Sequence, residues 1–259
     1  MILAIDIGNS NVVLGCIQGE RICFEARIAT DPIKTSDQYC VDIKTMLDLN
    51  EVPVRSLEGT IISSVVPQVL NSIKTAILKL THKNPMVVGP GIKTGLNIQI
   101  ESPEQTGADL VVAAVSALKE HKPPMIIIDM GTATTMTVLD KTGAFIGGCL
   151  CPGVKISMEA LTSRTALLPG IQLDQPKRAI GRNSIDCMRS GIMMGTACML
   201  DGMIERMEHE LGYSVEVVAT GGIARFVIPM CRRKITYDGD LLLKGLAELY
   251  RRNQRPEKL

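Results

Sequence analysis

The chain has 259 residues, of which 46% are hydrophobic, so it is long enough for two domains with apolar cores. Its 28 Lys and Arg residues against 27 Asp and Glu leave a net charge of +1, which argues against a protein that binds nucleic acid through bulk charge. No stretch approaches the roughly 20 apolar residues of a membrane helix, and the chain enters a strand without a basic leader, so neither a membrane span nor a signal peptide is predicted.

The first half alternates short β-branched runs with stretches of helical period. In chain order we predict strands 2–6, 11–17 and 21–28, helix 36–49, strand 60–65, helix 67–81, strands 86–88 and 96–100, and helix 103–120.

The same plan restarts after residue 120. It predicts strands 125–129, 134–139 and 144–149, helices 153–166 and 183–210, strand 215–219, helix 222–231, strand 234–236 and helix 239–252. Asn183 or Ser184 is the expected cap of helix 183–210. The repetition predicts an α/β fold with a duplicated β-β-β-α-β-α unit, in two domains over residues 1–120 and 121–259.

One short pattern occurs in each half, where the first strand ends. Asp6 is followed by Gly8 in "DIGNSN", and Asp129, 123 residues later, is followed by Gly131 in "DMGTATT". Glycine permits positive φ at such a turn and carries no Cβ, so a ligand can approach the backbone closely. An aspartate beside a bound anion needs a cation between them, so Asp6 and Asp129 are candidate ligands of Mg²⁺ or another oxygen-seeking cation.

The turn residues can donate hydrogen bonds to phosphate oxygens through successive N–H groups and side chains. Those donors are Asn9, Ser10, Asn11, Thr132, Thr134 and Thr135. Ordinary hairpins are the alternative interpretation of one such turn. Two turns at equal places in duplicated halves favour a phosphate site, in which both hairpins hold one nucleotide tail.

These hairpins resemble those of the acetate and sugar kinase, actin and heat-shock chaperone ATPase superfamily. That resemblance implies two duplicated ribonuclease-H-like domains with mixed sheets flanked by helices. A closer resemblance, to type III pantothenate kinase, rests on blocks in that family's order over almost the whole chain. They include "DIGNSN", "SSVVP" (63–67), "VVGPGIKTGLNI" (87–98), "GAD" (107–109), "DMGTATT" (129–135), "ALLPGIQL" (166–173), "IGRNSIDCMRSGI" (180–192) and "ATGGIA" (219–224).

The resemblance implies a cytoplasmic, homodimeric kinase that uses ATP with Mg²⁺ to phosphorylate the pantothenate hydroxyl, the first step of coenzyme A synthesis. It implies that Asp109 is the proton acceptor, that Asp129 binds a monovalent cation (K⁺ or NH₄⁺), and that Thr132 contacts ATP. The first-loop residues implied at the ATP phosphates are Asp6, Ile7, Gly8, Asn9, Ser10, Asn11, Val12 and Val13. Those implied at pantothenate are Gly107, Ala108, Asp109, Leu110 and, across a dimer interface, Ser184.

Two positions depart from that family's pattern. Leu110 stands where the family has an arginine, and Ile100 stands where it commonly has a tyrosine. Both changes remove a hydrogen-bond donor, which predicts a more apolar acceptor pocket. They leave open a kinase for another small hydroxylated acceptor or a non-catalytic, nucleotide-binding regulator. Asp109 itself has a structural alternative, a solvated carboxylate in the first turns of helix 103–120.

Cysteine and histidine give no sign of a metal or nucleophile site. The eight cysteines are scattered without a C-x-x-C pair, and the three histidines are isolated. We therefore predict buried free thiols, and neither a zinc site nor a Ser-His-Asp triad.

Overall fold

The structure, a computed structural model, describes residues 1–254 and divides into two compact units. Unit 1 comprises residues 1–96, 102–119 and the described chain from Asp240 on, and unit 2 comprises residues 97–101 and 120–239. The compact units are not contiguous in sequence, so they do not test the boundaries of the predicted domains. The domains 1–120 and 121–259 remain a prediction, drawn from the duplication in the sequence.

Each unit is built on one five-stranded mixed sheet. The strands are β1 (Ile2–Ile7), β2 (Asn11–Gln18), β3 (Arg21–Ala29), β4 (Gly59–Ser64), β5 (Met86–Val87), β6 (Met125–Met130), β7 (Ala133–Leu139), β8 (Phe145–Pro152), β9 (Glu216–Thr220) and β10 (Thr236–Tyr237). The α-helices are α1 (Ser36–Leu49), α2 (Pro67–Thr81), α3 (Ala108–Glu120), α4 (Val154–Arg164), α5 (Ser184–Arg189), α6 (Gly195–Leu211), α7 (Ala224–Val227) and α8 (Leu241–Asn253). No helix among the described residues has the length and apolar character needed to cross a membrane.

The two sheets have the same topology. Their strand orders are β3-β2-β1-β4-β5 in unit 1 and β8-β7-β6-β9-β10 in unit 2. The central strand, β1 or β6, is antiparallel to the strand that follows it and parallel to β4 or β9. The duplicated α/β plan predicted from the sequence is therefore confirmed.

In unit 1, helices cover both faces of the sheet. Leu3, Ile5 and Ile62 pack with α1 and α2 in one apolar cluster on the first face. On the second face, α8 lies so close that a Cβ at Gly15 would stand 2.7 Å from Leu243 Cδ1, and one at Gly59 would collide with the Tyr250 hydroxyl. Glycine at these two strand positions is therefore what lets α8 reach the sheet.

In unit 2, the main apolar cluster lies on one face of the sheet. It joins Ile126, Ile128 and Met136 of the sheet to residues of α6. The predicted helix 183–210 is present as α5, a π-helical segment (Ser190–Met194) and α6.

Two predictions about elements before residue 121 were wrong in part. The expected strand 96–100 is a single bridge between Ile98 and Phe145. The expected helix 103–120 begins only at Ala108, after a 3-10 turn at Pro103–Gln105. The prediction of free thiols is confirmed for all eight cysteines. The prediction that they are buried holds fully for Cys16 and is wrong for Cys23, Cys187 and Cys198, which are exposed.

Candidate active site

The first hairpin loop, residues 8–11, lies at the carboxyl end of β1. The Gly8 N–H donates to the Asn11 carbonyl oxygen at 3.0 Å and closes the loop. Thr30, which follows β3, donates through Oγ1 to the Gly8 carbonyl oxygen at 2.7 Å and through its N–H to the Ser10 carbonyl oxygen at 3.1 Å. The loop is therefore held by its own hairpin and by the neighbouring strand.

Asp6 precedes this loop and is only 9% exposed. The sheet register places Val13 of β2 and Ser63 of β4 directly beside it. Paired residues on adjacent strands point to the same face, so all three side chains share the face that α8 covers. Ser63 is fully buried and its hydroxyl has no hydrogen-bond partner. Sequence reasoning assigned no role to Ser63, because only the register reveals its neighbour.

Asp109 is half-buried in the first turn of α3. Burial raises the pKa of its carboxyl group above the usual aspartate value, and hydrogen bonds from the backbone N–H groups of Leu110 and Asp109 partly offset that rise. The Leu110 N–H donates to Asp109 Oδ1 at 2.8 Å. A Cβ at Gly107 would collide with the same oxygen, so glycine leaves the carboxylate its space. The predicted alternative of a fully solvated carboxylate does not describe this group.

The direction of α3 places Asp109 at the loop end of unit 1. At the other end of the helix, Lys119 Nζ forms an ion pair with Glu20 Oε1 at 2.9 Å. Glu20 lies in the turn between β2 and β3, which is the end of the β1–β2 hairpin opposite the loop. A helix of this length spans about 20 Å, close to the length of the strands beside it. Asp109 therefore lies at the same end of unit 1 as residues 8–11.

The second hairpin loop, residues 131–133, occupies the corresponding place after β6 in unit 2. The Gly131 N–H donates to the Ala133 carbonyl oxygen at 3.0 Å. A Cβ at Gly153 would collide with the Thr132 carbonyl oxygen, and one at Gly221 would lie 2.6 Å from the Met130 carbonyl oxygen. Two glycines thus pack directly against the backbone of this loop.

Neither Gly8 nor Gly131 has φ in the left-handed region that glycine permits, whereas Gly221 has φ 93°. A Cβ at Gly8 would lie 3.3 Å from the Asn11 carbonyl oxygen, and one at Gly131 would lie 3.7 Å from the Ala133 carbonyl oxygen, an ordinary van der Waals distance. The backbone conformation therefore does not require glycine at either position.

Asp129 is the next-to-last residue of β6 and lies between two threonines. The register pairs it with Thr135 of β7 and Thr220 of β9. Thr135 Oγ1 is buried without a hydrogen-bond partner. Residues 1–254 hold no cluster of three or more His, Cys, Asp or Glu side chains that would suit a metal ion. One carboxylate with neighbouring hydroxyl oxygens instead fits a hard, oxygen-seeking cation that keeps other ligands from solvent or nucleotide.

The remaining predicted residues lie elsewhere. Ser184 is exposed at the first position of α5 in unit 2, and the cap of that helix is Asn183, whose side chain accepts from the Asp186 N–H at 2.9 Å. Leu110 is half-buried beside Asp109 in unit 1, and Ile100 is half-buried in the unit 2 segment 97–101. Within unit 1 the structure therefore brings the first loop and the segment Gly107–Leu110 to one end, and within unit 2 it places Asp129 and Thr132 on one loop.

Comparisons with known proteins show which family the sequence matches. The family model for type III pantothenate kinase matches residues 2–206. The type III pantothenate kinase of an Exiguobacterium strain is 42% identical over 98% of this chain and 100% of its own length, and that of Halalkalibacterium halodurans is 40% identical over the same shares.

Solved structures show the same fold at low sequence identity. The activator of 2-hydroxyisocaproyl-CoA dehydratase from Clostridium difficile, with bound ADPNP, has a TM-score of 0.61 at 14% identity and covers 97% of this chain and 94% of its own. Component A of (R)-2-hydroxyglutaryl-CoA dehydratase from Acidaminococcus fermentans has a TM-score of 0.56 at 16% identity and covers 96% of each chain. The predicted fold of duplicated ribonuclease-H-like, actin-like ATPase domains is confirmed.

Proposed function

Because the chain belongs to the type III pantothenate kinase family, which phosphorylates pantothenate in coenzyme A biosynthesis, we propose that it does so with Asp109 as the general base. The observation that carries the assignment is the placement of Asp109. Its carboxylate is half-buried, and burial raises its pKa. The missing side chain of Gly107 leaves room beside the carboxylate, which lies at the same end of unit 1 as the first loop.

Asp109 acts on the acceptor hydroxyl. In phosphoryl transfer the new O–P bond forms as the bond from the γ-phosphorus to the leaving oxygen of ADP breaks, and the attacking hydroxyl loses its proton. A carboxylate within hydrogen-bond reach orients that hydroxyl and accepts the proton. Since burial raises its pKa, Asp109 is a stronger base than an exposed aspartate.

Each of the two loops carries proposed contacts to ATP. In unit 1 the residues proposed to contact the ATP phosphates are those of the first loop and its flanks, Asp6 to Val13, and in unit 2 the proposed contact is Thr132. When bound, a divalent cation on the nucleotide and a monovalent cation at Asp129 would supply neutralisation of the phosphate charge. The orphaned hydroxyls of Ser63 and Thr135, next to Asp6 and Asp129 respectively, support a ligand beside each aspartate.

The acceptor site consists of the segment Gly107–Leu110, with Ser184 contributed by the second subunit of a homodimer. The exposure of Ser184 supports the dimer, since the side chain is open to a partner. Leu167 and Ile180, at 91% and 81% exposed, add apolar surface in the same part of the sequence. Light scattering at micromolar protein should give the mass of two chains, and a monomeric mass would contradict the dimer. We place the reaction in the cytoplasm, where ATP is supplied.

The function is tested by ATP consumption with Mg²⁺ and K⁺, with and without pantothenate. We expect pantothenate-stimulated turnover, and Asp109→Asn should lower kcat by about 10²–10⁴-fold, the usual contribution of a general base. Turnover only with a different alcohol would support another acceptor, to which Leu110 and Ile100 would then be suited. Nucleotide binding without turnover would support the regulatory alternative.

The pH dependence of the same variant checks the role of Asp109. Because the base must be ionised, wild-type activity should fall as pH drops through the raised pKa, at a higher pH than for an ordinary aspartate. A carboxyl group with a raised pKa in the folded state favours folding at low pH, and that contribution is lost as pH rises through the folded-state value. At neutral pH, Asp109→Asn should therefore melt no lower than wild type, so its lost activity cannot be attributed to unfolding.

A further inference from the structure

Ser63 is a buried polar residue in the sheet of unit 1. It is the fifth residue of β4, it is 0% exposed, and its Oγ has no hydrogen-bond partner. A buried hydroxyl without a partner is unfavourable, so most such groups in proteins are satisfied by protein, water or ligand. The backbone around it is fixed, since the Val65 N–H donates to the Ile7 carbonyl oxygen at 3.1 Å and the Val66 N–H donates to Ser64 Oγ at 3.1 Å.

The neighbour of Ser63 is the aspartate of the first loop. β1 and β4 are parallel, and their register pairs Asp6 with Ser63 on the face covered by α8. Strands lie about 4.8 Å apart, and the serine oxygen and the carboxylate oxygens extend one and two bonds beyond their Cβ atoms. Rotation about χ1 is therefore sufficient to bring the two groups within hydrogen-bond distance.

Thr60 provides a comparison on the same strand. It is 3% exposed and its hydroxyl also has no partner. Its register neighbour on β1 is Leu3, which belongs to the apolar cluster under α1 and α2. Thr60 is thus as buried as Ser63, but it faces the other side of the sheet and lies towards the end away from the loop.

We propose that Ser63 is a positioning residue for Asp6: in the nucleotide-bound enzyme its hydroxyl donates to the Asp6 carboxylate and holds it in one orientation. This inference rests on the proposed binding of the ATP phosphates by the first loop. A hydrogen bond to a carboxylate restricts its rotation. Ser63 therefore acts through Asp6 and does not contact the reacting atoms.

The test is equilibrium binding of a non-hydrolysable ATP analogue with Mg²⁺ to the full chain, measured by calorimetry for wild type, Ser63→Ala and Thr60→Val. We expect Ser63→Ala to raise the dissociation constant about 10-fold, the effect of one hydrogen bond to a charged group. The Mg²⁺ concentration for half-maximal binding should rise as well. Thr60→Val should change neither by more than about twofold, and both variants should melt at or above the wild-type temperature because each loses an unpaired buried hydroxyl.

Two results would overturn the assignment: unchanged nucleotide and Mg²⁺ dependence in Ser63→Ala, or an equal loss in Thr60→Val. A lower melting temperature of Ser63→Ala would also count against it, since that hydroxyl would then have a partner in the free protein. Wild-type binding without pantothenate-dependent turnover would overturn the proposed function alone, because the role of Ser63 is measured by binding. Absence of nucleotide binding to wild type would overturn both.

Discussion

The two hairpin loops, after β1 and after β6, occupy equivalent places in equivalent sheets but are held by different means. The loop of residues 8–11 is longer by one residue and is held by hydrogen bonds from Thr30. At the loop of residues 131–133, Gly153 instead packs against the carbonyl oxygen of Thr132, and Gly221 packs against that of Met130, just before the loop. Both close contacts are possible because glycine has no side chain.

The residues beside the two aspartates also differ. Asp6 has one hydroxyl neighbour, Ser63, and an apolar one, Val13, whereas Asp129 lies between Thr135 and Thr220. The second site therefore has more oxygen atoms beside its carboxylate, as a hard cation prefers. Duplication preserved the aspartate and the turn, and the neighbours distinguish a proposed phosphate loop from a proposed cation site.

Substituting the loop-backing glycine should have the largest effect. Gly153→Ala forces a Cβ into the Thr132 carbonyl oxygen, so the second loop must move, and a displacement near 1 Å costs about 10²-fold in turnover. Gly202→Ala on α6, in the same unit, is the matched control, because a Cβ there meets no neighbouring side chain or segment within 4 Å. Steady-state kinetics should show the loss in Gly153→Ala alone, and equal losses in the two variants would show that it does not come from the second loop.

Removing the side-chain anchor of the first loop should have an intermediate effect. Thr30→Val deletes the 2.7 Å hydrogen bond to the Gly8 carbonyl oxygen and keeps the side-chain shape. One such bond contributes about 1 kcal/mol, so KM for MgATP should rise about fivefold with little change in kcat. A change in pantothenate KM instead of nucleotide KM would contradict the assignment of this loop to ATP.

The smallest effect is expected at Thr135. Thr135→Val removes one oxygen beside Asp129, so the K⁺ concentration for half-maximal activity should rise about threefold, within the range of a single weak interaction. Thr135→Ser keeps the hydroxyl and should behave as wild type. The melting temperature in K⁺ compared with choline at equal ionic strength gives a second measurement, and a K⁺ effect that Thr135→Val leaves intact would show that the hydroxyl is not involved.

Much of the fold could be predicted because local signals agreed with it. The bounds predicted for 36–49 and 67–81 are those of α1 and α2, whose starts carry a capping box between Thr35 and Gln38 and a proline at Pro67. The segment 96–100 was misassigned as a strand because its alternating pattern was real while its pairing is one bridge to Phe145. Strand propensity depends on a few neighbouring residues, whereas the partner of a strand can lie far away in the sequence.

Part of the candidate site could be proposed from the sequence, because the loop residues and Asp109 lie in contiguous motifs. The neighbours Ser63 and Thr220 lie 57 and 91 residues from their aspartates, so only strand register brings each pair together. The backbone conformation of Gly8 and Gly131 could not be predicted, because glycine permits positive φ without requiring it.

The return of α8 to unit 1 has a consequence for synthesis. Leu243 and Tyr250 pack into the space that Gly15 and Gly59 leave on the sheet, and more than 180 residues are translated after Gly59 before Tyr250 emerges from the ribosome. At about 5–20 residues per second, the first sheet waits on the order of 10 s or more with that apolar face uncovered. The sheet that carries the proposed phosphate loop is thus among the first parts to be made and among the last to be completed. Its contact with α8 is long-range in sequence, which favours slow folding and exposes the sheet to aggregation unless a chaperone protects it.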